Sequence, residues 1–288
     1  MLLIGAAGKG KTWFLIGVGK MALRQRKKVV HITLEVAAEE VMARYYQSIF
    51  SIPRRESEIT ITTMELDHKD KLTGFDSEEF KPGFSLDNNQ IRDELQSHIG
   101  HMGKLFENLI VKRFPTRSLT TNALRGYLDT LEITEKFIPD IIILDYPAIM
   151  KTDNKDYRIS LGRIMEDVRG IAVERNVAMV VVHQSSKAGA DARQMTSSHI
   201  AEDWSIVETA DIIITHSVTP TEFKHGLARL YVSKARTEQD RFGILITQNY
   251  AVGQFCLESV LLENEYWDQL ENLEPAAEEA ADDDGDDE

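Results

Sequence analysis

The sequence predicts an α/β fold, a mostly parallel twisted sheet with helices on both faces and a late antiparallel edge. Three observations carry that expectation. Apolar runs suited to buried parallel strands alternate with helix-compatible stretches along most of the 288 residues. A glycine-rich octapeptide, Gly5-Ala6-Ala7-Gly8-Lys9-Gly10-Lys11-Thr12, joins the first apolar run to the first helical stretch. Three later apolar runs close on Glu35, Asp145 and Gln184, and ligands of open α/β sheets bind outside the carboxyl ends of the strands.

The first strand is expected at residues 2–4 and the first helix at 13–24. Between them the octapeptide is a complete G-x-x-x-x-G-K-[ST] pattern. A chance glycine-rich turn would not need a strand before it and a helix after it. Backbone N–H groups of such a turn, with the positive end of the helix, wrap a nucleotide's phosphates. Residues Gly5, Ala6, Ala7, Gly8, Lys9, Gly10, Lys11 and Thr12 are therefore expected to hold ATP. Lys11 would reach the outer phosphates, and the Thr12 hydroxyl would ligate Mg2+.

The second strand, 29–34, ends at Glu35, and a helix is expected over 37–50. Residues 51–106 are polar, carry a Lys81-Pro82-Gly83 turn signal and contain no clear core strand. They are read as an insertion on the surface of the sheet within one domain spanning 1–273. A strand at 109–111 and a helix at 121–132 precede the apolar strand 141–144, which ends at Asp145. An aspartate at that place organises Mg2+ beside a phosphate loop. Many such ATPases carry the water-activating glutamate directly after it, but here Tyr146 and Pro147 follow. Glu35 is the strand-end carboxylate left for that task, and a base on the strand after the phosphate-loop helix is the RecA-type arrangement. The competing reading of Glu35 is a partner for the start of the next helix.

After a helix at 161–175, the strand 179–182 ends at His183-Gln184. Gln184 is a candidate sensor of the terminal phosphate. The loop that follows, 185–199, holds Lys187 and Arg193 among small and polar residues, a candidate grip on nucleic acid or merely a solvated loop. The segment 151–158 is a weaker candidate for the same role. Strands at 212–215 and 227–232 follow, then an antiparallel pair at 243–248 and 254–258. Lys234 and Arg236, two residues apart, share one side of a strand. Either they discourage edge aggregation, or they reach a neighbouring subunit's nucleotide.

The formal net charge is −14. Nine acids and no base lie in residues 274–288, so the body carries only −5 and bulk charge argues neither for nor against nucleic acid. That tail is too charged and too poor in apolar residues to fold alone. Cys256 is the single cysteine, which excludes an intrachain disulfide or a cysteine-based zinc cluster. No signal peptide or membrane-spanning run is visible, so no membrane partner and a cytoplasmic location (the host's, for a viral protein) are expected.

The order of these parts resembles the motor domain of DnaB-like replicative helicases. The matching passages are the phosphate loop, VVHITLEVAAEEVMARYYQS, NLIVKRFPTRSLTTNALRGYLDTL, FIPDIIILDYPAIM, VVVHQ, HIAEDWSIVETADIII and VSKAR. They reach to about residue 258, leaving the insertion and the tail unmatched. The resemblance implies an ATP-driven 5′→3′ helicase whose subunits form a hexameric ring around single-stranded DNA. It assigns phosphates and Mg2+ to Lys11 and Thr12, water polarisation to Glu35, and Mg2+ to Asp145. Gln184 would couple nucleotide state to the DNA loop, while Lys234 and Arg236 complete the neighbour's site. A primase, a helicase loader or a polymerase is the expected protein partner. Family members carry an N-terminal domain and a linker helix that this chain does not show, and channel-lining bases are sparse in it. Two other readings of the same residues stay open, a recombinase or mediator ATPase and an ATP-dependent assembly switch with no DNA role.

Overall fold

A computed structural model describes residues 1–87, 104–152, 157–190, 192, 194–199 and 204–273. The main sheet has nine strands: β1 (Leu2–Gly5), β2 (Val29–Thr33), β5 (Leu109–Arg113), β6 (Ile141–Asp145), β7 (Ala178–Gln184), β8 (Ile212–Ser217), β9 (Leu227–Ala235), β10 (Phe242–Thr247) and β11 (Ser259–Leu261). Their spatial order is β11-β10-β9-β8-β1-β7-β6-β2-β5. The six from β8 to β5 run parallel. Strands β9, β10 and β11 add antiparallel. Two further strands, β3 (Ile59–Leu66) and β4 (Leu72–Phe80), form a separate antiparallel hairpin.

The alternation along each buried strand decides which helices cover which face. Leu2, Ile4, Val30, Ile32, Ile142, Leu144 and Val181 point to one side. There they meet α3 (Thr121–Glu135), α4 (Tyr157–Arg175) and, beyond a short α5 (Lys187–Ala190), α6 (Trp204–Thr209). The residues between them, Leu3, Val29, Ile141, Ile143, Val180 and Val182, point to the other side. That side is covered by α1 (Lys11–Arg24), through Phe14, Leu15, Ile16 and Leu23, and by α2 (Ala38–Phe50), through Val41 and Tyr45. Strands buried on both faces read as continuous apolar runs, which is why these runs are legible in the sequence.

Helix α7 (Pro220–Lys224) opens on a capping box, with Thr219 and Glu222 satisfying each other's backbone N–H groups. The buried Glu222 carboxylate also accepts from Arg229 and from Tyr266. Tyr266 belongs to the last helix, α8 (Glu265–Leu273), which packs with Leu227, Leu245 and the hairpin's Met64, Leu72 and Phe75. The hairpin thus lies over the antiparallel part of the sheet, fastened by Met64 N to Glu258 Oε2 at 2.7 Å and Asn249 Nδ2 to Thr60 O at 2.8 Å.

The last strand differs from expectation. Residues 254–258 make scattered bonds to Thr247 and Asn249, and the regular strand is β11. Gly253 sits at φ +68, where a Cβ would meet the backbone of Ser48 at 2.7 Å. The Gln254 amide is drawn to Ser48 O and Ser51 Oγ at the end of α2. That side-chain anchoring delays the return of the chain to the sheet. The acidic stretch 274–288 lies outside the described residues, and no helix among the described residues is long and apolar enough to cross a membrane.

Candidate nucleotide site

The glycine-rich loop leaves β1 at Gly5 and enters α1 at Lys11. Gly8 and Gly10 adopt φ +70 and +93, a left-handed backbone that glycine takes without strain. Gly10 also caps α1 without a side-chain hydrogen bond to the helix's first N–H groups, which leaves that end suited to an anion. Beside the loop lies a cleft of about 350 Å3, lined by Gly8, Gly10, Lys11, Thr12, Glu35, Asp145 and Gln184 together with Trp13, Arg44 and Tyr146.

The topology explains why these groups meet. Strands β1, β7, β6 and β2 are consecutive in the sheet and parallel. Their carboxyl ends deliver, in that order, the phosphate loop, Gln184, Asp145 and Glu35. Gly5 is in register with Gln184, and Thr33 with Asp145. Leu34 N donates to Asp145 O at 2.8 Å, which carries β2 just far enough to place Glu35 at the cleft.

Lys11 Nζ donates to the loop carbonyls of Gly5 and Ala6, at 3.2 and 2.9 Å. Burial lowers its pKa, opposed by the charges of Asp145 and Glu35. Thr12 Oγ1 donates to Asp145 Oδ2 at 3.1 Å. Asp145 is 3% exposed. Desolvation pushes its carboxyl up to about 6; the Thr12 bond opposes this, Glu35 adds to it, and Lys11 and Arg44 oppose it. Glu35 itself is exposed at the cleft mouth, as is Gln184. Burial and the two carboxylates raise the Tyr146 phenol.

Thr12 and Asp145 fit Mg2+ as a pair that needs phosphate oxygens and water to complete an octahedron, the usual way this ion is held. Among the described residues no group of three or more His, Cys, Asp or Glu side chains could hold a metal alone. The raised Asp145 carboxyl supports the same reading, since a cation beside it would offset the cost of burying its charge.

Three side chains at the loop carry no motif. Trp13 stacks on Tyr250 with ring centroids 5.8 Å apart, and Arg44 lies 5.3 Å from the Trp13 ring centre. The Tyr250 hydroxyl bonds Gln248 Oε1 at 3.0 Å and fills the space where a Gly10 Cβ would stand. Arg44 had one readable signal. Val41 and Tyr45 mark the buried face of α2, the helix that follows Glu35, and Arg44 is the cation on its flank.

Lys234 and Arg236 lie elsewhere. Strand β9 runs against β8, so its carboxyl end sits at Ile212 and Ile213, in register with Leu2 at the far end of β1. Lys234 Nζ donates to Val207 O and Glu208 O at 2.7 and 3.1 Å, and Arg236 pairs with Asp211 at 3.2 Å. A cavity of about 730 Å3 opens at that same end against Arg169 and Asp211. Its lining is mostly aliphatic and it holds none of the phosphate-loop groups. Lys187 is exposed at the start of α5. Its loop is tied down by Thr215 Oγ1 to Met195 O and by Ser197 N to Ser233 Oγ. Arg193 and part of the 151–158 segment lie outside the described residues.

Among known proteins, the profile of the DnaB-like helicase C terminal domain matches residues 1–243. A DnaB-like replicative helicase of Enterobacteria phage T4 is 32% identical over 111 residues, 37% of this chain and 23% of that protein. The match thus spans less than a quarter of the curated relative's length. A solved DnaB-like replicative helicase, described with its interactions with primase, superposes with a TM-score of 0.63 at 16% identity, over 87% of this chain and 57% of that one. A second solved structure, described as an ATPase domain, gives 0.61 at 16% identity, over 91% of this chain and 84% of that one. At that identity both likenesses speak for the fold.

Proposed function

The chain belongs to the DnaB-like helicase C-terminal domain family, and from that premise we propose that it is an ATP-hydrolysing motor that moves along single-stranded DNA and separates duplex. The observation that carries this reading is the convergence of Glu35, Asp145, Gln184 and the phosphate loop on one cleft from four adjacent parallel strands. Glu35 accepts a proton from the attacking water. Its exposure to solvent at the cleft supports this role. Lys11 leaves its loop carbonyls for the outer phosphates. Thr12 and Asp145, joined by their 3.1 Å hydrogen bond, would hold Mg2+, which would supply positive charge to the phosphate oxygens. Gln184 senses the terminal phosphate and passes its presence to the loop that begins at Ser185, whose N–H is bonded to Gly5 O at 3.1 Å. Lys187 and Arg193 on that loop contact DNA phosphates.

Lys234 and Arg236 stand at the wrong end of the sheet for their own cleft, which favours service to a neighbour's nucleotide in a ring. A hexamer, 5′→3′ movement and contact with a primase are the finer parts of this proposal, suggested by the family and by the structural relative described with primase. The test is ATP turnover with and without single-stranded DNA at low salt, where phosphate contacts are strong, alongside strand separation on a forked duplex. Stimulation by DNA and unwinding are expected. In parallel, Glu35→Gln should keep nucleotide binding and lose turnover. ATP turnover indifferent to DNA would overturn the motor reading in favour of an assembly switch, and DNA-stimulated turnover without unwinding would favour a recombinase.

A further inference from the structure

Tyr250 carries none of the chemistry assigned to the cleft, yet its hydroxyl rests against the phosphate loop. It stands where a Gly10 Cβ would be and lies 3.5 Å from Lys9 O. Backbone rich in glycine gives up more freedom on ordering than any other. A contact that fixes the loop before a nucleotide arrives therefore lowers the entropic cost of binding. The tyrosine is itself held on three sides. Its ring stacks on Trp13, near the start of α1, at an interplanar angle of 8°. Its hydroxyl donates to Gln248 Oε1 at 3.0 Å. The buried Gln248 donates from Nε2 to Phe255 O at 3.2 Å, which leaves Oε1 turned toward the tyrosine. The backbone carbonyl of Tyr250 accepts from Gln47 at 3.1 Å. Burial raises the phenol, with the Gln248 bond opposing, so the group stays a donor at neutral pH. A phenylalanine would make the same stack, so packing does not account for the hydroxyl. The same turn reaches the hairpin. Asn249 Nδ2 donates to Thr60 O on β3 at 2.8 Å, while Asn249 Oδ1 accepts from Ala251 N at 3.1 Å. One side chain thus shapes the turn and ties it to the 51–106 segment.

We propose that Tyr250 is a positioning residue that braces the phosphate loop in its nucleotide-binding shape, and that Asn249 makes the β3–β4 hairpin part of that brace. This rests on the nucleotide reading of the cleft and adds to it a support from the far end of the chain. Tyr250 acts through Gly10 and Lys9, so it serves the phosphates that ATP and ADP share. Losing its hydroxyl weakens both nucleotides alike. Glu35 and Asp145 ride on other strands, so turnover at saturating ATP is untouched. The hairpin acquires a function by the same route: whatever draws β3 away from the turn loosens the loop through Tyr250.

The experiment measures dissociation constants for ATPγS and for ADP, each with Mg2+, together with KM and kcat for ATP. The proteins are wild type, Tyr250→Phe, Gln248→Met, Asn249→Asp and the Asn249→Asp/Tyr250→Phe double variant. Phenylalanine keeps the ring on Trp13 and so protects the fold. Aspartate keeps the oxygen that caps Ala251 N and loses the donor to Thr60. Tyr250→Phe is expected to weaken ATPγS and ADP equally, by about fivefold to tenfold, the scale of one lost buried hydrogen bond. KM should rise to match, with kcat changed less than about twofold. Gln248→Met, which leaves the hydroxyl without its acceptor, should act in the same direction. Asn249→Asp should weaken both nucleotides a few-fold alone and add nothing once the hydroxyl is gone. A Tyr250→Phe protein that melts earlier but binds both nucleotides like wild type has lost packing only and overturns the brace. A loss confined to ATPγS, or to kcat, overturns it too. An Asn249→Asp effect of equal size in both backgrounds overturns the hairpin's part. Wild-type protein that binds neither nucleotide overturns the underlying site reading instead.

Discussion

Replacing Asp145 with asparagine isolates the cost of keeping a carboxylate in the cleft. In the unfolded chain this group ionises at its ordinary 3.8, whereas in the folded chain burial moves it to about 6. Between those two values the folded protein holds a proton that the unfolded chain has released. Stability therefore falls as pH rises through that window and stays lower above it. At about 1.4 kcal/mol per pH unit, the difference amounts to about 3 kcal/mol. Asparagine is isosteric, can still accept from Thr12 Oγ1, and carries no charge to desolvate. The expected outcome, in nucleotide-free protein without Mg2+, is that wild type and Asp145→Asn unfold at similar temperatures near pH 4. By pH 7 the variant should be the more stable by about 3 kcal/mol, or about 5 °C or more in Tm for a domain of this size. Thermal unfolding of both proteins across that range checks it, with the wild type's own acid titrations cancelling in the difference. Adding Mg2+ and nucleotide should lift wild type more than the variant, because only wild type then has a cation to offset its charge. A difference between the two proteins that does not change with pH would refute the reasoning.

Three further outcomes follow from particular contacts. Gly10→Ala forces a Cβ to within 1.9 Å of the Tyr250 hydroxyl at φ +93. It should cost about 1–2 kcal/mol for the left-handed backbone alone and more for displacing Tyr250. In a Tyr250→Ala background the penalty should shrink, and an undiminished penalty in urea unfolding would show that Tyr250 is not the obstacle. Glu222→Ala removes the carboxylate shared by buried Arg229 and Tyr266 and should lower stability by about 3–5 kcal/mol; a loss below about 1 kcal/mol in the same assay would mean that the cluster relaxes. Arg236→Ala should bind ATP normally and hydrolyse it about 10³–10⁵ times more slowly, and mixing it with Glu35→Gln protein should recover some turnover if sites are shared between subunits. No recovery would argue for a self-contained site.

The parts of this molecule that could be read from its residues share one property: each is local along the chain. The phosphate loop is eight consecutive residues, and Glu35, Asp145 and Gln184 each announce themselves at the end of an apolar run. Elements that escaped are those whose partners lie far away. The hairpin β3–β4 has a β-branched start, Ile59-Thr60-Ile61-Thr62-Thr63, and a turn at Asp67 to Asp70. Yet its apolar residues are spaced to meet α8 and β10 rather than to build a core of their own. Helix α8 likewise shows Tyr266 and Leu270 at helical spacing, and what they bury against is Leu227 and Leu245, on strands well before it in the chain.

The wall of the cleft follows the same logic at higher stakes. Tyr250 reaches Gly10 from near the opposite end of the sequence, and it does so because the turn before Gly253 is pinned to α2 by Gln47, whose Nε2 donates to Tyr250 O and Ala251 O at 3.1 and 2.6 Å. Gln47 and Arg44 are three residues apart on α2. The helix that presents Arg44 to the cleft therefore also holds the loop that backs the phosphate turn. A shift of α2 relative to α1 would move Arg44 and Tyr250 together against Gly10, which caps α1, whereas Glu35, Asp145 and Gln184 ride on the sheet. The cleft is thus assembled from a rigid half, encoded strand by strand, and a helical half, encoded in the packing of α2 on α1. Residues whose placement depends on that packing are the ones where substitution should change how tightly a nucleotide is held without removing the groups that react with it.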